Sequence, residues 1–145
     1  MLDDLDRTII EILVHDARIS LKELSNQVGL SSPSVSERLR RLEEKKVIRS
    51  FTIDIDPVAL GYSLSAIVRV RPLPGMLHIV EKLIQETPEI TECDKVTGED
   101  CFVGKLQFRT MEQLDMILDR LSERAETNTS IVKSSPVKRR LPPLS

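Results

Sequence analysis

One stretch of this sequence, residues 20–46, most strongly limits what the chain can fold into; it reads SLKELSNQVGLSSPSVSERLRRLEEKK. Apolar residues recur at helical spacing on both sides of Gly29, which predicts two amphipathic helices joined by a tight glycine turn. Ser20 and Glu23 have the spacing of a capping pair that satisfies free amides at a helix start. The residues expected to be buried are Leu21, Leu24, Val28, Val35, Leu39 and Leu42.

The second of these helices is polar and basic on its outward side. Ser31 or Ser32 caps it, and Pro33 fits its first turn, where no amide hydrogen is needed. The residues expected to face outward are Ser34, Ser36, Glu37, Arg40 and Arg41, with Arg38 at the edge. Short hydroxyl side chains ahead of arginines suit a helix in the DNA major groove. Ordinary helix packing with a solvated arginine face remains an alternative here.

The local charge balance favours a double-stranded DNA partner more than the total charge does. The formal net charge is −2, yet residues 31–50 carry six basic and three acidic side chains, whereas residues 1–30 carry three and six. This distribution suits a dimer that neutralises phosphates at two places and predicts salt-sensitive binding. Aromatic residues make up only 3% and tryptophan is absent, which argues against base stacking on single strands.

The pattern before and after this stretch extends it to a small domain, residues 1–55. Residues 3–15 predict a first helix capped by Asp3, with an inner face of Leu5, Ile9, Ile12 and Leu13. Residues 47–54 turn to alternation, which predicts a strand that would form the wing of a winged helix. Arg49 on that strand would contact a phosphate. Lys46 stands where a glycine usually ends such a helix, so either the backbone is strained or the helix ends differently.

The sequence DPVALG at residues 56–61 predicts a hinge, since proline breaks the strand and glycine frees the chain. Six segments follow in residues 62–145, in the order strand, helix, strand, strand, helix, strand. This order predicts a ferredoxin-like βαββαβ domain, so the whole chain is expected to be α+β. The sheet face away from the helices is expected to carry Ile67, Val103 and Ile131, which predicts a homodimer through this domain.

The remaining features point to a protein of the reducing cytoplasm. A hairpin turning near Gly98 would pair Cys93 with a residue near Gly104 and not with Cys101, so two free thiols are expected. The opening MLDDLDR does not resemble a signal peptide, and no apolar run approaches membrane-spanning length. Two cysteines and two histidines lack ligand spacing, so neither a metal nor a cofactor is expected. The tail from Lys138 is expected to be mobile, either solubilising or touching DNA.

The chain resembles the Lrp/AsnC family of feast/famine transcriptional regulators over nearly all of its 145 residues. The most specific segments are LDDLDRTIIEIL, DARIS-LKELSNQVGLSSPSVSERLRRLEEKKVI and KVTGEDCFVGKL. The resemblance implies a winged-helix DNA reader with its helix-turn-helix in residues 22–41, a hinge, and a ferredoxin-like sensing domain. It also implies dimers that often assemble to octamers, and an amino acid bound between subunits near the turn after the second sensor strand.

Carried over to this chain, the resemblance places the effector-binding residues at Thr97, Gly98, Glu99, Asp100 and Cys101. A carboxylate at Glu99 or Asp100 would bind the ammonium of an amino acid, and backbone amides near Gly98 would bind its carboxylate. A simple hairpin turn is an equal alternative. Cys101 stands where members of the family often have an aspartate, which leaves the identity of the effector open.

The function expected from these observations is a sequence-specific DNA-binding transcriptional regulator, tuned by a small amino-acid-like ligand, and not an enzyme. The expected DNA-binding residues are Lys22, Ser32, Ser34, Ser36, Arg38, Arg40, Arg41 and Arg49. One alternative is an architectural protein that wraps DNA with weak sequence preference. The other is an enzyme like the sirohaem decarboxylases, which share this two-domain fold; His15 and His78 are too few and too far apart in sequence to favour it.

Overall fold

The computed structural model describes residues 2–144, which fall into two compact units. The helical unit comprises the described residues up to Asp54 together with those from Val137 onward, and the sheet unit is Ile55–Pro136. The domain division predicted from the sequence instead ran the second domain from residue 62 to residue 145. The difference lies mainly in the tail, which belongs with the helices.

Three helices make up the regular structure of the helical unit: α1 is Asp4–His15, α2 is Leu21–Val28 and α3 is Ser32–Glu44. Each has the cap that its sequence indicates. The Asp3 carboxylate accepts a hydrogen bond from the Asp6 amide at 2.8 Å, and the Ser20 hydroxyl accepts one from the Glu23 amide at 3.1 Å. Between α2 and α3, Gly29 adopts φ 80°, the left-handed conformation that an L-residue enters only with strain.

The helical unit is held together by an aliphatic core. Its buried members are Ile9, Ile10, Leu24, Val35 and Leu42. Leu21, expected among the buried residues, is 40% exposed, while Ile10 was missed. Leu144 also packs against this core, although residues 137–143 before it are exposed and the tail was expected to be mobile. The reason for this packing is that an apolar side chain near the end of the tail gains by leaving water.

The segment after α3 does not form the strand that its alternating pattern predicted. Residues 47–56 have no regular secondary structure, and Phe51, Ile53 and Ile55 are exposed. A strand exists only when a neighbouring backbone pairs with it, and alternation in one segment carries no information about such a partner. The described part of this chain supplies none, so the structure contains a helix-turn-helix without a wing.

The sheet unit has the element order βαββαβ, as predicted. Its elements are β1 (Leu64–Pro72), α4 (Leu77–Gln85), β2 (Ile90–Lys95), β3 (Phe102–Phe108), α5 (Met111–Ser122) and β4 (Ala125–Ile131). The strands lie in the order β2-β3-β1-β4, and every neighbouring pair is antiparallel. Both helices cover one face, where Val80 of α4 and Ile117 of α5 are buried with the alternate strand residues. The α+β class and the ferredoxin-like arrangement are confirmed.

The strand register decides which residues lie on the uncovered face. Ala66 pairs with Leu106 on the side of the helices, so Ile67 and Val103 lie on the open side. Ile131 pairs with Ala66, which places it on the helix side; its predicted position on the open face is wrong. Charged residues stand directly opposite the two remaining apolar ones, Lys105 across from Ile67 and Arg69 across from Val103. The open face is therefore less apolar than the sequence suggested.

A single 3-10 turn, Pro57–Leu60, precedes the sheet and lies in the predicted hinge. The Asp56 carboxylate accepts a hydrogen bond from the Val58 amide at 3.0 Å, and Gly61 ends the turn with φ 94°. Cys93 pairs with Gly104 in the β2–β3 hairpin, as predicted, and both cysteines are free thiols.

Candidate functional site

The N-terminal turn of α3 presents small polar side chains. Ser31 is the cap, and its hydroxyl lies 3.3 Å from the Ser34 amide and 2.9 Å from the Ser34 hydroxyl. Ser34 and Ser36 are exposed, as predicted. Ser32, also predicted to bind DNA, is half-buried, and its hydroxyl lies 3.3 Å from that of Ser25 on α2. Ser32 therefore helps to join the two helices.

One turn further along, α3 carries a chain of ion pairs on its exposed face. The Arg40 guanidinium is bonded to both Glu37 and Glu44, one of these bonds being 2.9 Å from Nε to Glu37 Oε2. The Arg41 Nε lies 3.9 Å from the Glu37 carboxylate. The hydrogen bond from Arg40 holds the pKa of the Glu37 carboxyl below its ordinary value, so that Glu37 is ionised at neutral pH.

The Arg38 side chain points away from this face. Its guanidinium donates to both oxygens of Asp3, at 2.9 and 2.7 Å, and to Asp6 at 3.1 Å. Only 21% of the side chain is exposed. Arg38 was predicted to bind DNA; in the structure its Nη1 is bonded to the two carboxylates at the start of α1, which joins α3 to that helix.

The two other predicted DNA-binding residues lie outside α3. Lys22 is exposed on α2, and Arg49 is exposed in the irregular segment after α3. The charge of the helical unit as a whole depends on the tail. Residues 1–54 contain nine basic and ten acidic side chains, and the tail adds Lys138, Arg139 and Arg140. With these three cations the basic side chains outnumber the acidic ones in the unit.

The predicted effector-binding residues form the connection between β2 and β3 in the sheet unit. The Val96 amide donates to the Cys101 carbonyl at 2.7 Å, and Gly98 adopts φ 107°, so the segment closes as a turn. The Cys101 thiol lies 3.7 Å from the Gly98 carbonyl and 3.6 Å from that of Glu99. Thr97 and Glu99 are exposed. The turn thus offers both backbone groups and carboxylates on its surface.

The sequence pattern did not identify Arg71, the basic residue that pairs with this turn. Arg71, at the end of β1, pairs with Glu99 at 3.2 Å and with Asp100 at 3.3 Å. Extending the β1–β3 register by one position beyond Val70 and Phe102 brings Arg71 opposite Cys101. Only the strand register places Arg71 beside this turn. The register is set by the folded sheet, so the sequence pattern alone could not identify Arg71.

In residues 2–144 no group of three histidine, cysteine or acidic side chains is placed to hold a metal ion. Within the same span, no helix is both long and apolar enough to cross a lipid bilayer.

Comparison with known proteins identifies the family to which these two domains belong. A helix-turn-helix domain together with a ligand-binding domain is the composition of a ligand-responsive DNA-binding regulator, and both domains are matched here. Residues 2–43 match the AsnC-type helix-turn-helix domain, and residues 65–142 match the Lrp/AsnC ligand binding domain. The chain belongs to the Lrp/AsnC family and is a ligand-modulated DNA-binding transcriptional regulator.

Individual relatives agree with this assignment. The HTH-type transcriptional regulator FL11 of Pyrococcus furiosus is 37% identical, over 82% of this chain and 79% of its own length. The structure of Bacillus subtilis LrpC has a TM-score of 0.90 at 32% identity and covers 96% of this chain and 99% of LrpC. The feast or famine regulatory protein of Mycobacterium tuberculosis, complexed with L-methionine, has a TM-score of 0.88 at 30% identity, covering 97% and 98%. The predicted family and function are confirmed.

Proposed function

We propose that α3 binds the major groove of duplex DNA through Ser34, Ser36, Arg40 and Arg41, with Arg49 on a neighbouring phosphate. The observation that supports this most directly is the exposed face of α3, where small hydroxyl residues precede two accessible arginines. Hydroxyl side chains allow the helix backbone to approach base edges, and arginine binds guanine or phosphate. We propose the cytoplasm, as predicted from the sequence, as the place where the protein does so.

Replacing the two arginines tests this arrangement. Arg40→Ala or Arg41→Ala should weaken binding by about 5- to 150-fold at a cognate site if the lost contact is to a base. A lost phosphate contact should instead weaken all sequences alike and reduce the salt slope by about one unit. Gel-shift titrations at several salt concentrations measure both. Lys82→Ala on α4, exposed and outside the helical unit, is the control. Wild-type affinity in both arginine variants would contradict the docking.

We further propose that the β2–β3 turn binds an amino-acid-like effector. Arg71 is paired with two carboxylates, and the carboxylate of an incoming amino acid would compete for Arg71. The released Glu99 or Asp100 would then bind the ammonium group, so that every charge stays paired. The relative solved with L-methionine supports an amino acid as the class of ligand.

Thermal-shift measurements with the twenty amino acids test this site. A ligand that binds only the folded chain raises its melting temperature by mass action. Arg71→Met should abolish the shift, while Arg69→Met, two residues earlier on the same strand, should keep it. If no amino acid raises the melting temperature, or if Arg71→Met leaves the shift unchanged, this proposal is wrong.

The homodimer through the sheet unit, and its assembly to octamers, also stay proposals. Their support is the sheet face left uncovered by α4 and α5, with Ile67 and Val103 half-buried in its middle. Ile67→Glu should convert dimers to monomers in light scattering, and Arg69→Glu on the same face should do so less.

Footprinting separates local regulation from the architectural alternative. Discrete protected half-sites on the DNA indicate local regulation, and long phased protection indicates DNA wrapping.

A further inference from the structure

The exposed face of α3 carries a carboxylate at its centre. Glu37 lies three residues after Ser34, three before Arg40 and four before Arg41, so all four side chains belong to one helix face. Half of the Glu37 side chain is exposed. Glu37 also lines a shallow surface depression with Pro33, Ser34 and Arg41. Any duplex that contacts the two arginines would therefore also meet Glu37.

The negative charge of Glu37 opposes the sequence-independent attraction between α3 and DNA phosphates. Within Ser32–Glu44 the three arginines are matched by three glutamates, so the helix itself has no excess of positive charge. Arg38 and Arg40 are both paired with carboxylates, which offsets their charge. An ionised Glu37 repels phosphates and cannot donate a hydrogen bond, so facing DNA costs free energy unless a base donates to it.

Only one base offers a donor without an acceptor beside it on the same major-groove edge. Cytosine presents its N4 amino group, whereas guanine presents two acceptors and thymine presents an acceptor and a methyl group. Adenine has a donor at N6, but the neighbouring N7 acceptor repels a carboxylate. A carboxylate at the centre of a groove helix therefore discriminates strongly in favour of cytosine.

Glu37 can bind a base without leaving Arg40 unpaired. An ionised carboxylate has about four acceptor positions, and the two hydrogen bonds from Arg40 use only part of them, while Arg41 at 3.9 Å uses none. Arg40 is also held by Glu44 one turn further on, so it stays in place when Glu37 turns toward a base. We propose that Glu37 selects a C·G base pair in each half-site by accepting a hydrogen bond from cytosine N4. This inference rests on the proposed docking of α3 in the major groove.

Selection from a pool of random duplexes, carried out with the full chain, tests the proposal. The wild type should enrich sequences with cytosine fixed at one position of each half-site. In Glu37→Gln that position should become tolerant or change to adenine, because an amide both donates and accepts. Its affinity for the wild-type site should fall by about 5- to 150-fold. The other positions of the site should be unchanged.

Glu44→Gln is the matched control, since it also removes a carboxylate from Arg40 but lies at the end of α3. It should keep the cytosine preference. If Glu37→Gln retains that preference, or weakens all sequences alike, Glu37 only holds the arginines and the proposal is overturned. Failure of the docking itself looks different: the wild type would then enrich no sequence, or Arg40→Ala and Arg41→Ala would leave affinity unchanged.

Discussion

Lys46 shows at the scale of one residue how α3 ends without a glycine. Its φ is 61°, and it is the single non-glycine residue with positive φ among the described residues. The Lys46 amide donates to the Glu43 carbonyl at 3.1 Å and the Val47 amide to the Leu42 carbonyl at 3.0 Å. These two bonds form a Schellman motif, which usually has glycine at the left-handed position. Of the two alternatives left open by the sequence, the strained backbone is the one adopted.

Lys46→Gly should therefore stabilise the helical unit. The left-handed conformation costs an L-residue about 1–2 kcal/mol, and the greater freedom of glycine in the unfolded chain offsets about 0.4–1 kcal/mol of that gain. We expect the free energy of unfolding to rise by about 0.5–1 kcal/mol in urea titrations. Lys45→Gly, at φ −79°, is the control and should lower it. A lower stability in Lys46→Gly than in the wild type would contradict this account.

Asp3 gives a second residue-scale prediction, concerning pH. The hydrogen bond from Arg38 holds the pKa of the Asp3 carboxyl below its ordinary value. A group with a lowered pKa in the folded state stabilises the fold above its unfolded pKa and loses that contribution as pH falls through the folded pKa. Asp3→Asn keeps the cap but removes the charge. The variant should be less stable than the wild type at pH 7, and the difference should shrink below about pH 4.

Urea titrations at pH 7 and near pH 3 measure this difference. Asp4→Asn is the control, because Asp4 lies in the same helix turn but is almost fully exposed and pairs with Arg7, on its own helix. An Asp3→Asn effect that stays constant across this pH range would show that the ion pair with Arg38 does not contribute.

At the scale of an element, the 3-10 turn before the sheet depends on Gly61. Its φ is 94°, and a Cβ at this position would meet the guanidinium of Arg109. Arg109 stacks 4.3 Å from the centre of the Tyr62 ring and lies 3.4 Å from the Leu60 carbonyl. The backbone conformation therefore favours glycine here, and a Cβ would also displace the Arg109 guanidinium.

Gly61→Ala should lower the free energy of unfolding more than Gly75→Ala does. Both positions have positive φ and share a strain of about 1–2 kcal/mol, but nothing lies within 4 Å of a Cβ at Gly75. Displacing Arg109 from the Tyr62 ring should add about 0.5–1 kcal/mol at Gly61. Thermal unfolding of the two variants measures the difference. Equal losses of unfolding free energy in the two variants would show that the packing of Arg109 on the Tyr62 ring does not contribute to stability.

The elements also show where periodicity is sufficient and where it fails. The buried faces of α3, α4 and α5 follow from a repeat of 3.6 residues, which each helix carries in its own sequence. Strand faces depend on register, and a shift of one residue moves a side chain to the other face, as it did for Ile131. The expected strand in residues 47–54 failed because pairing needs a second backbone.

At the scale of the whole molecule, the positive charge of the helical unit comes from its tail. Replacing Lys138, Arg139 and Arg140 by alanine should lower DNA affinity, since it leaves the helical unit with more acidic than basic side chains. Each lost phosphate contact should reduce the slope of log affinity against log salt by about 0.9. Gel shifts at several salt concentrations measure this slope. Lys133→Ala, in the sheet unit, is the control, and an unchanged slope in the tail variant would show that the tail does not contact DNA.

In the two candidate sites, the sequence predicted only those features that depend on residues close together in the chain. The exposure of Ser34, Arg40 and Arg41 follows from helix periodicity. The orientation of Arg38 was not predictable, because it depends on Asp3, 35 residues away in sequence. The partnership of Arg71 with the β2–β3 turn likewise spans 29 residues to Asp100 and exists only once the sheet has formed. Contacts between distant segments thus account for what the local pattern missed.

The balanced charges of α3 have a consequence for how such a protein would search a chromosome. If α3 enters the groove as proposed, its own counter-charges let the helix displace few ions from arbitrary sequence, so α3 gains little by binding there. Fewer molecules are then held on the vast excess of irrelevant DNA, and a larger share remains free to reach operators.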